Sequence, residues 1–169
     1  QKVIGLLIIG LLIVGCTQQP QKVRNLSQKN QPDSVMMAQM AFNTHMADAA
    51  DKACRQWVKN DTIQYTIDNF GFWYAKTTNL YADTLQKGEK VLAHIQICEL
   101  NGTLLADIKD YFLVGSGDLP IAINRCLKQM ARGEEMRIVS PWYTAYGAEG
   151  TTLIQPYSNL VITLTTIEE

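Results

Sequence analysis

Few side chains in this sequence have the type and spacing to do chemistry. The histidines, His45 and His94, lie far apart, and Cys16, Cys54, Cys98 and Cys126 fall at no metal-ligand spacing with them. Histidine-based catalysis therefore has few candidates, and no metal or other cofactor is expected. What remains is a loop, YTAYGAEG over residues 143–150, with Tyr143, Tyr146, Gly147 and Gly150. Glycines so placed make a tight turn that presents a tyrosine hydroxyl. A neutral phenol can donate a hydrogen bond to a carbonyl, and that is the chemistry on offer. Two readings stand side by side: Tyr146 serves a bound ligand, or it ties its own loop down.

The segments around this loop must position it. Before it, residues 133–140 (GEEMRIVS) read as a strand. After it, Leu160, Ile162 and Leu164 alternate with Val161, Thr163 and Thr165, which puts the first set on one face of a second strand. Upstream, VLAHIQICEL repeats the pattern, with Val91, Ala93, Ile95 and Ile97 on one face and Leu92, His94, Gln96 and Cys98 on the other. Asn101-Gly102 then predicts a hairpin in which both turn residues take positive φ. The chain returns through Leu104 and Leu105, and residues 112–115 (FLVG) form a further short strand. Asp118 is placed to cap a short helix with Pro120 near its start, and Leu119, Ile123, Leu127 and Met130 make its buried stripe. Further back, Asp33 and Ser34 offer an N-cap. Val35, Ala38, Phe42, Met46, Ala49, Ala53 and Trp57 recur at steps of three and four, a helix reaching about Val58. That stripe is either packed on its own domain or a partner-binding face with adaptable methionines. Ile63, Tyr65 and Ile67, followed by the aromatic run at 70–74, predict an edge strand or hairpin added to the sheet.

The order of these landmarks carries a resemblance. G-x-x-V leading to L-N-G-T, then strand and glycine turn, then Gln129-Met130-Ala131-Arg132-Gly133-Glu134, and finally A-Y-G-A-x-G before a last L-V-I-T-L strand, is similar to the FK506-binding-protein (FKBP) type of peptidyl-prolyl cis-trans isomerase. The resemblance implies an α+β fold, an antiparallel sheet wrapped around a short helix, here with an N-terminal helical extension. It divides the chain into residues 33–86, the helix and added strands, and 87–169, the FKBP-like domain. It also implies isomerase activity on proline-containing polypeptides. Tyr146 takes the place of the family's carbonyl-binding tyrosine. Phe112, Leu119, Leu153, Ile154 and Ile162 keep the apolar character of the family's pocket lining. The departures are Ile123 for the usual floor tryptophan, Pro120 for a β-branched residue whose N–H contacts ligand, Ile95 for a tyrosine, and Leu105 for a phenylalanine. The family's aspartate becomes Ala106, with Asp107 one residue on as its substitute. An aliphatic pocket of this kind suits either an isomerase or a catalytically weak binding subunit of an outer-membrane secretion or uptake complex. The resemblance extends to gliding-motility lipoproteins and to members whose helical extension aids homodimerisation.

The first residues add a location. Lys2 precedes an uninterrupted apolar run over residues 3–15, shorter than the roughly 20 residues a membrane span needs, and Cys16 follows directly. Residues 1–15 suit a signal peptide, and Ile13-Val14-Gly15-Cys16 looks like a bacterial lipobox, which implies acylation of Cys16; the other reading is an uncut anchor. Thr17 after the cysteine favours the outer membrane, facing the periplasm. Residues 16–32 are a polar tether. At 18% charged residues and a net charge of -1 the composition argues against nucleic-acid partners, which need a basic surface. Cys98 and Cys126 either approach each other or stay, with Cys54, as buried free thiols.

Overall fold

The computed structural model describes residues 33–78, 80 and 82–168. The apolar run, Cys16 and the polar tether lie outside the described residues. Among those described, no helix is long and apolar enough to cross a membrane.

Six strands form one antiparallel sheet: β1 (Thr66–Ile67), β2 (Trp73–Lys76), β3 (Lys90–Glu99), β4 (Leu104–Leu113), β5 (Glu135–Ser140) and β6 (Leu160–Thr166), in the order β1-β2-β5-β6-β3-β4. Two helices cover it, α1 (Ser34–Asn60) and the short α2 (Ile121–Leu127). This is the expected α+β architecture. The alternation predicted for β3 and β6 holds: Val91, Ala93, Ile95 and Ile97, with Leu160, Ile162 and Leu164, are at most 2% exposed. They meet Ala122, Ile123, Cys126 and Leu127 of α2 in the main core. The aromatic segment does form a hairpin, β1–β2, added beside β5.

Several local expectations are corrected. The β3–β4 turn has positive φ only at Gly102, whose N–H bonds to the Glu99 carbonyl at 2.9 Å. This is a longer turn closed by a left-handed glycine rather than a two-residue turn. β4 is one unbroken ten-residue strand, not two short pieces. Asp118 does not cap α2; Pro120 occupies that position with no side-chain bond. Proline offers no N–H there, but no helical hydrogen bond is lost, because an N–H at the helix start has no helical partner anyway.

Asp33 does cap α1, its Oδ1 accepting from the Met36 N–H at 2.8 Å, a contact worth about 1 kcal/mol. The buried face of α1 is turned from the predicted stripe. Ala50 and Cys54 are buried and Trp57 half-buried, while Ala38 and Ala49 are exposed and Val35 is 75% exposed. Buried and half-buried residues follow one helical line from Asn43 through Ala47, Ala50 and Cys54 to Trp57. The first turns run past the edge of the domain, so burial there cannot follow the pattern of apolar residues. The second half packs on the face of the sheet opposite α2, where Cys54 meets Trp73 of β2 and Val139 of β5. Trp57 fixes the helix end by donating from Nε1 to the Leu100 carbonyl at 2.9 Å. The self-packed reading holds for the second half of the helix, and the first turns are exposed.

One buried carboxylate joins segments that are distant in sequence. Glu134 is fully buried and accepts from the Ala131 N–H (2.8 Å), the Leu80 N–H (3.0 Å) and Lys76 Nζ (2.9 Å). Burial alone would raise its pKa, but these bonds outweigh it and hold the carboxyl below its ordinary value. Cys54, Cys98 and Cys126 are free thiols, and burial pushes Cys54 and Cys126 up to about 12. Cys98 is half-exposed rather than buried.

Candidate functional site

The tyrosine loop leaves β5 through a short 3-10 turn, Trp142–Thr144, and returns to β6 at Leu160. Inside it the backbone is closed on itself. The Gly147 N–H bonds to the Trp142 carbonyl (2.8 Å), Gly150 to Tyr146 (3.1 Å), Thr151 to Ile154 (2.7 Å) and Tyr157 to Gly147 (3.1 Å). Only glycine fits at 150. Its φ is +65°, and a Cβ there would stand 2.3 Å from the Ile154 carbonyl oxygen.

Tyr146 is half-buried, its ring packed against the core cluster that contains Ile95, Ile123, Ile154 and Ile162, and burial raises its pKa. Among the described residues nothing bonds to its hydroxyl. The other loop tyrosines are engaged: Tyr143 donates a short hydrogen bond to Asp51, and Tyr157 donates to Asn43 Oδ1 at 2.9 Å. Tying the loop down is therefore the work of Tyr143 and Tyr157. Tyr146 is left with a donor to spare.

Most of the other expected pocket residues gather around it. Ile123 and Ile162 are fully buried, and Ile95 and Ile154 are 2% and 3% exposed. Phe112, Leu119 and Leu105 pack on the same cluster from its margin, and Pro120 stands half-buried at the start of α2. Two residues do not join them. Asp107 pairs with Gln96 across β3–β4, and its carboxylate binds His94 Nε2 (2.5 Å) and Gln96 Nε2 (2.9 Å). His94 and Gln96 face away from the core, so Asp107 does too and cannot replace the family's pocket aspartate. The bonds from Gln96 and His94 hold its pKa below the ordinary range. Leu153 is 61% exposed at the loop surface, beside rather than under its neighbour Ile154.

Two residues on the core side of β4, Ile108 and Asp110, were missed, beside Ala106, expected only as the replacement of an aspartate. Directly opposed residues of antiparallel strands share a face, so Ala106 (opposite Ile97), Ile108 (opposite Ile95) and Asp110 (opposite Ala93) point the same way as the core of β3. Ile108 is 39% exposed and Asp110 is exposed, which places both on the open margin. A two-residue step back from Phe112 reaches all three. Cavities of about 580, 370 and 250 Å³ open elsewhere, lined by none of the expected pocket residues. The largest, around Asp83, Glu89, Arg132 and Glu168, contains neither the apolar surface nor the free hydroxyl described above.

The chain, with its unengaged phenol on a sheet wrapped around one short helix, also matches the sequence pattern of a known family. That pattern is the FKBP-type peptidyl-prolyl cis-trans isomerase, and it covers residues 82–166, just over half of the chain. The chain belongs to this family. Among solved structures, the FKBP-type fold recurs in a peptidyl-prolyl cis-trans isomerase from Pseudomonas syringae pv. tomato. That structure has 23% identity and a TM-score of 0.59, with 72% of this chain and 94% of that one covered. It recurs also in FkpA from Escherichia coli, at 18% identity and a TM-score of 0.63, with 80% of this chain and 64% of that one covered. The comparison with curated proteins gives no match. Within the FKBP-type family, this chain is a peptidyl-prolyl isomerase that carries its own helix and hairpin ahead of the matched segment.

Proposed function

We propose that this isomerase turns X-Pro bonds of periplasmic or secreted polypeptides, with Tyr146 as the donor to the substrate carbonyl. Rotation about an X-Pro bond is unaided slow, because the planar amide is held by resonance against a barrier of roughly 18–20 kcal/mol. The planar form is the more charge-separated one, so a dry apolar surface disfavours it relative to the twisted form. Ile95, Phe112, Leu119, Ile123, Ile154 and Ile162, with Leu105 and Pro120 at the margin, supply that surface. The free Tyr146 hydroxyl holds the carbonyl while the bond turns. No nucleophile, metal or general base is required. The observation that carries the reading is the contrast between the unengaged Tyr146 and the engaged Tyr143 and Tyr157.

The same proposal includes an acyl anchor on Cys16, a tether over residues 16–32 with a reach of roughly 20–24 Å, and an outer-membrane lipoprotein facing the periplasm. What supports it is the apolar run followed directly by Gly15-Cys16. Radiolabelled palmitate incorporated by the natural chain and lost in Cys16→Ala is the expected result; equal labelling of both would dismiss the anchor.

A second reading is a binding subunit of a membrane complex. It draws on the closed floor at Ile123 and on the exposed Val35, Met36, Met37, Met40 and Phe42 of α1. A protease-coupled isomerisation assay separates the two. The enzyme accelerates a proline tetrapeptide, and Tyr146→Phe lowers kcat/KM by about 3- to 10-fold, the worth of one hydrogen bond. A rate equal to the uncatalysed one refutes the enzyme reading and leaves the subunit.

A further inference from the structure

We propose that α1 sets the position of the tyrosine loop, with Asn43, Asp51, Tyr143 and Tyr157 as positioning residues for Tyr146; this rests on the reading of Tyr146 as the donor. The loop is held to the helix at two points that bracket Tyr146. On the upstream side the Tyr143 hydroxyl donates to Asp51. On the downstream side the Tyr157 hydroxyl donates to Asn43 at 2.9 Å, and its ring meets Phe42 edge-on at 5.6 Å. Trp142 lies between the anchors, 5.6 Å from the Tyr143 ring and 4.8 Å from the Tyr157 ring, so one aromatic cluster spans the two ends of the loop.

The backbone indicates that the downstream anchor constrains the loop. Among the described residues Tyr157 is the one non-glycine with positive φ, at 59°. A tyrosine stays in that region only where its surroundings over-determine it. Here they are Asn43, Phe42 and Trp142, together with its own N–H on the Gly147 carbonyl, one residue beyond Tyr146. The path from helix to donor is therefore short: Asn43 to Tyr157, Tyr157 to Gly147, Gly147 to Tyr146. Asn43 and Asp51 are eight residues apart, about 12 Å along the helix, and α1 is pinned in turn by Trp57 on Leu100. A helix that merely decorated the domain would have no reason to hold both ends of this one loop.

The test uses the full chain with Tyr143→Phe, Tyr157→Phe and the double variant, each also made in a Tyr146→Phe background. Amide hydrogen exchange at Gly147 and Gly150 is read beside kcat, KM and Tm on a proline tetrapeptide. The expected result is exchange about tenfold faster in the double variant and a fall in kcat/KM of about twofold per anchor, mostly in kcat, together no larger than the loss in Tyr146→Phe. In the Tyr146→Phe background the anchors should cost nothing further, because they act through that hydroxyl. Asp51→Asn keeps an acceptor oxygen and should remain near the parent rate. Lys76→Ala, which loosens the buried Glu134 away from the loop, should lower Tm without that fall in kcat. Unchanged exchange at Gly147 and Gly150 overturns the inference whatever the activity does. So does an equal loss of rate with and without Tyr146, or an equal loss in Lys76→Ala. A parent protein with no activity refutes the donor reading instead, and exchange still decides whether α1 holds the loop.

Discussion

Replacing Glu134 by alanine measures what a single buried carboxylate contributes to this domain. The substitution leaves the Ala131 and Leu80 N–H groups without their acceptor and removes the partner of Lys76. An orphaned buried donor costs about 1–3 kcal/mol. Leu80 and Lys76 are partly exposed and admit water, so about 0.5 kcal/mol applies to each of them, and with about 2 kcal/mol for the buried Ala131 N–H the loss is about 3 kcal/mol in all. For the 134 described residues, an unfolding entropy of about 2.1 cal/mol/K per residue converts this to a fall in Tm of about 10 °C. Glu134→Gln keeps one acceptor oxygen and should lose about half as much. The pH dependence has a fixed sign. The folded carboxyl is held below its ordinary value, so its contribution is complete above the unfolded pKa of about 4.3 and disappears as pH falls through the lower, folded one. Urea unfolding of the parent and Glu134→Gln between pH 7 and pH 3 should therefore show a gap that closes on acidification. A loss below about 1 kcal/mol for the alanine variant, or a gap independent of pH, would refute the account of Glu134 as the joint between these segments.

Two further substitutions probe the site. Gly150→Ala drives a Cβ into the Ile154 carbonyl and distorts the turn that Tyr146 begins, so kcat/KM should fall at least as far as in Tyr146→Phe; an unaffected rate in the tetrapeptide assay would show that the turn does not set the donor. Asp107→Asn, on the face of β4 turned away from the core, should leave kcat/KM within about twofold of the parent, whereas a loss of tenfold or more would return that carboxylate to the pocket.

The sheet was legible because its strands advertise themselves locally. Val91, Ala93, Ile95 and Ile97 alternate with the more polar set Leu92, His94, Gln96 and Cys98, and Leu160, Ile162 and Leu164 with Val161, Thr163 and Thr165, and a two-residue period fixes which set shares a face. What failed was whatever depends on distant partners. The face on which Asp107 lies is decided by the irregularity opposite Ile97 and Cys98, where β4 accommodates Leu105 as an extra residue. The buried line of α1 is decided by where the sheet stops, not by where Val35 or Ala49 fall in the helix. Nothing local marks Tyr157, since its left-handed backbone goes with distant partners, Asn43, Phe42 and Trp142. Of the site, Tyr146 and its aliphatic surroundings could be named from residue type and order; the margin formed by Ile108 and Asp110 required the cross-strand register.

The strand order has a consequence for how the protein is made. β6 is the last of the six strands in the chain, yet it lies in the interior of the sheet, bonded to β5 on one side and to β3 on the other. Until it arrives, the β3–β4 hairpin and the strands β1, β2 and β5 are separate pieces of sheet, each with an open edge. A chain emerging N-terminus first therefore carries α1, α2 and five strands that cannot yet join. Joining β3 to β6 closes a loop of more than sixty residues, the kind of non-local pairing that slows folding and prolongs exposure to aggregation. The chain thus has, in its own synthesis, a long interval in which the two pieces of its sheet wait for the strand that lies between them.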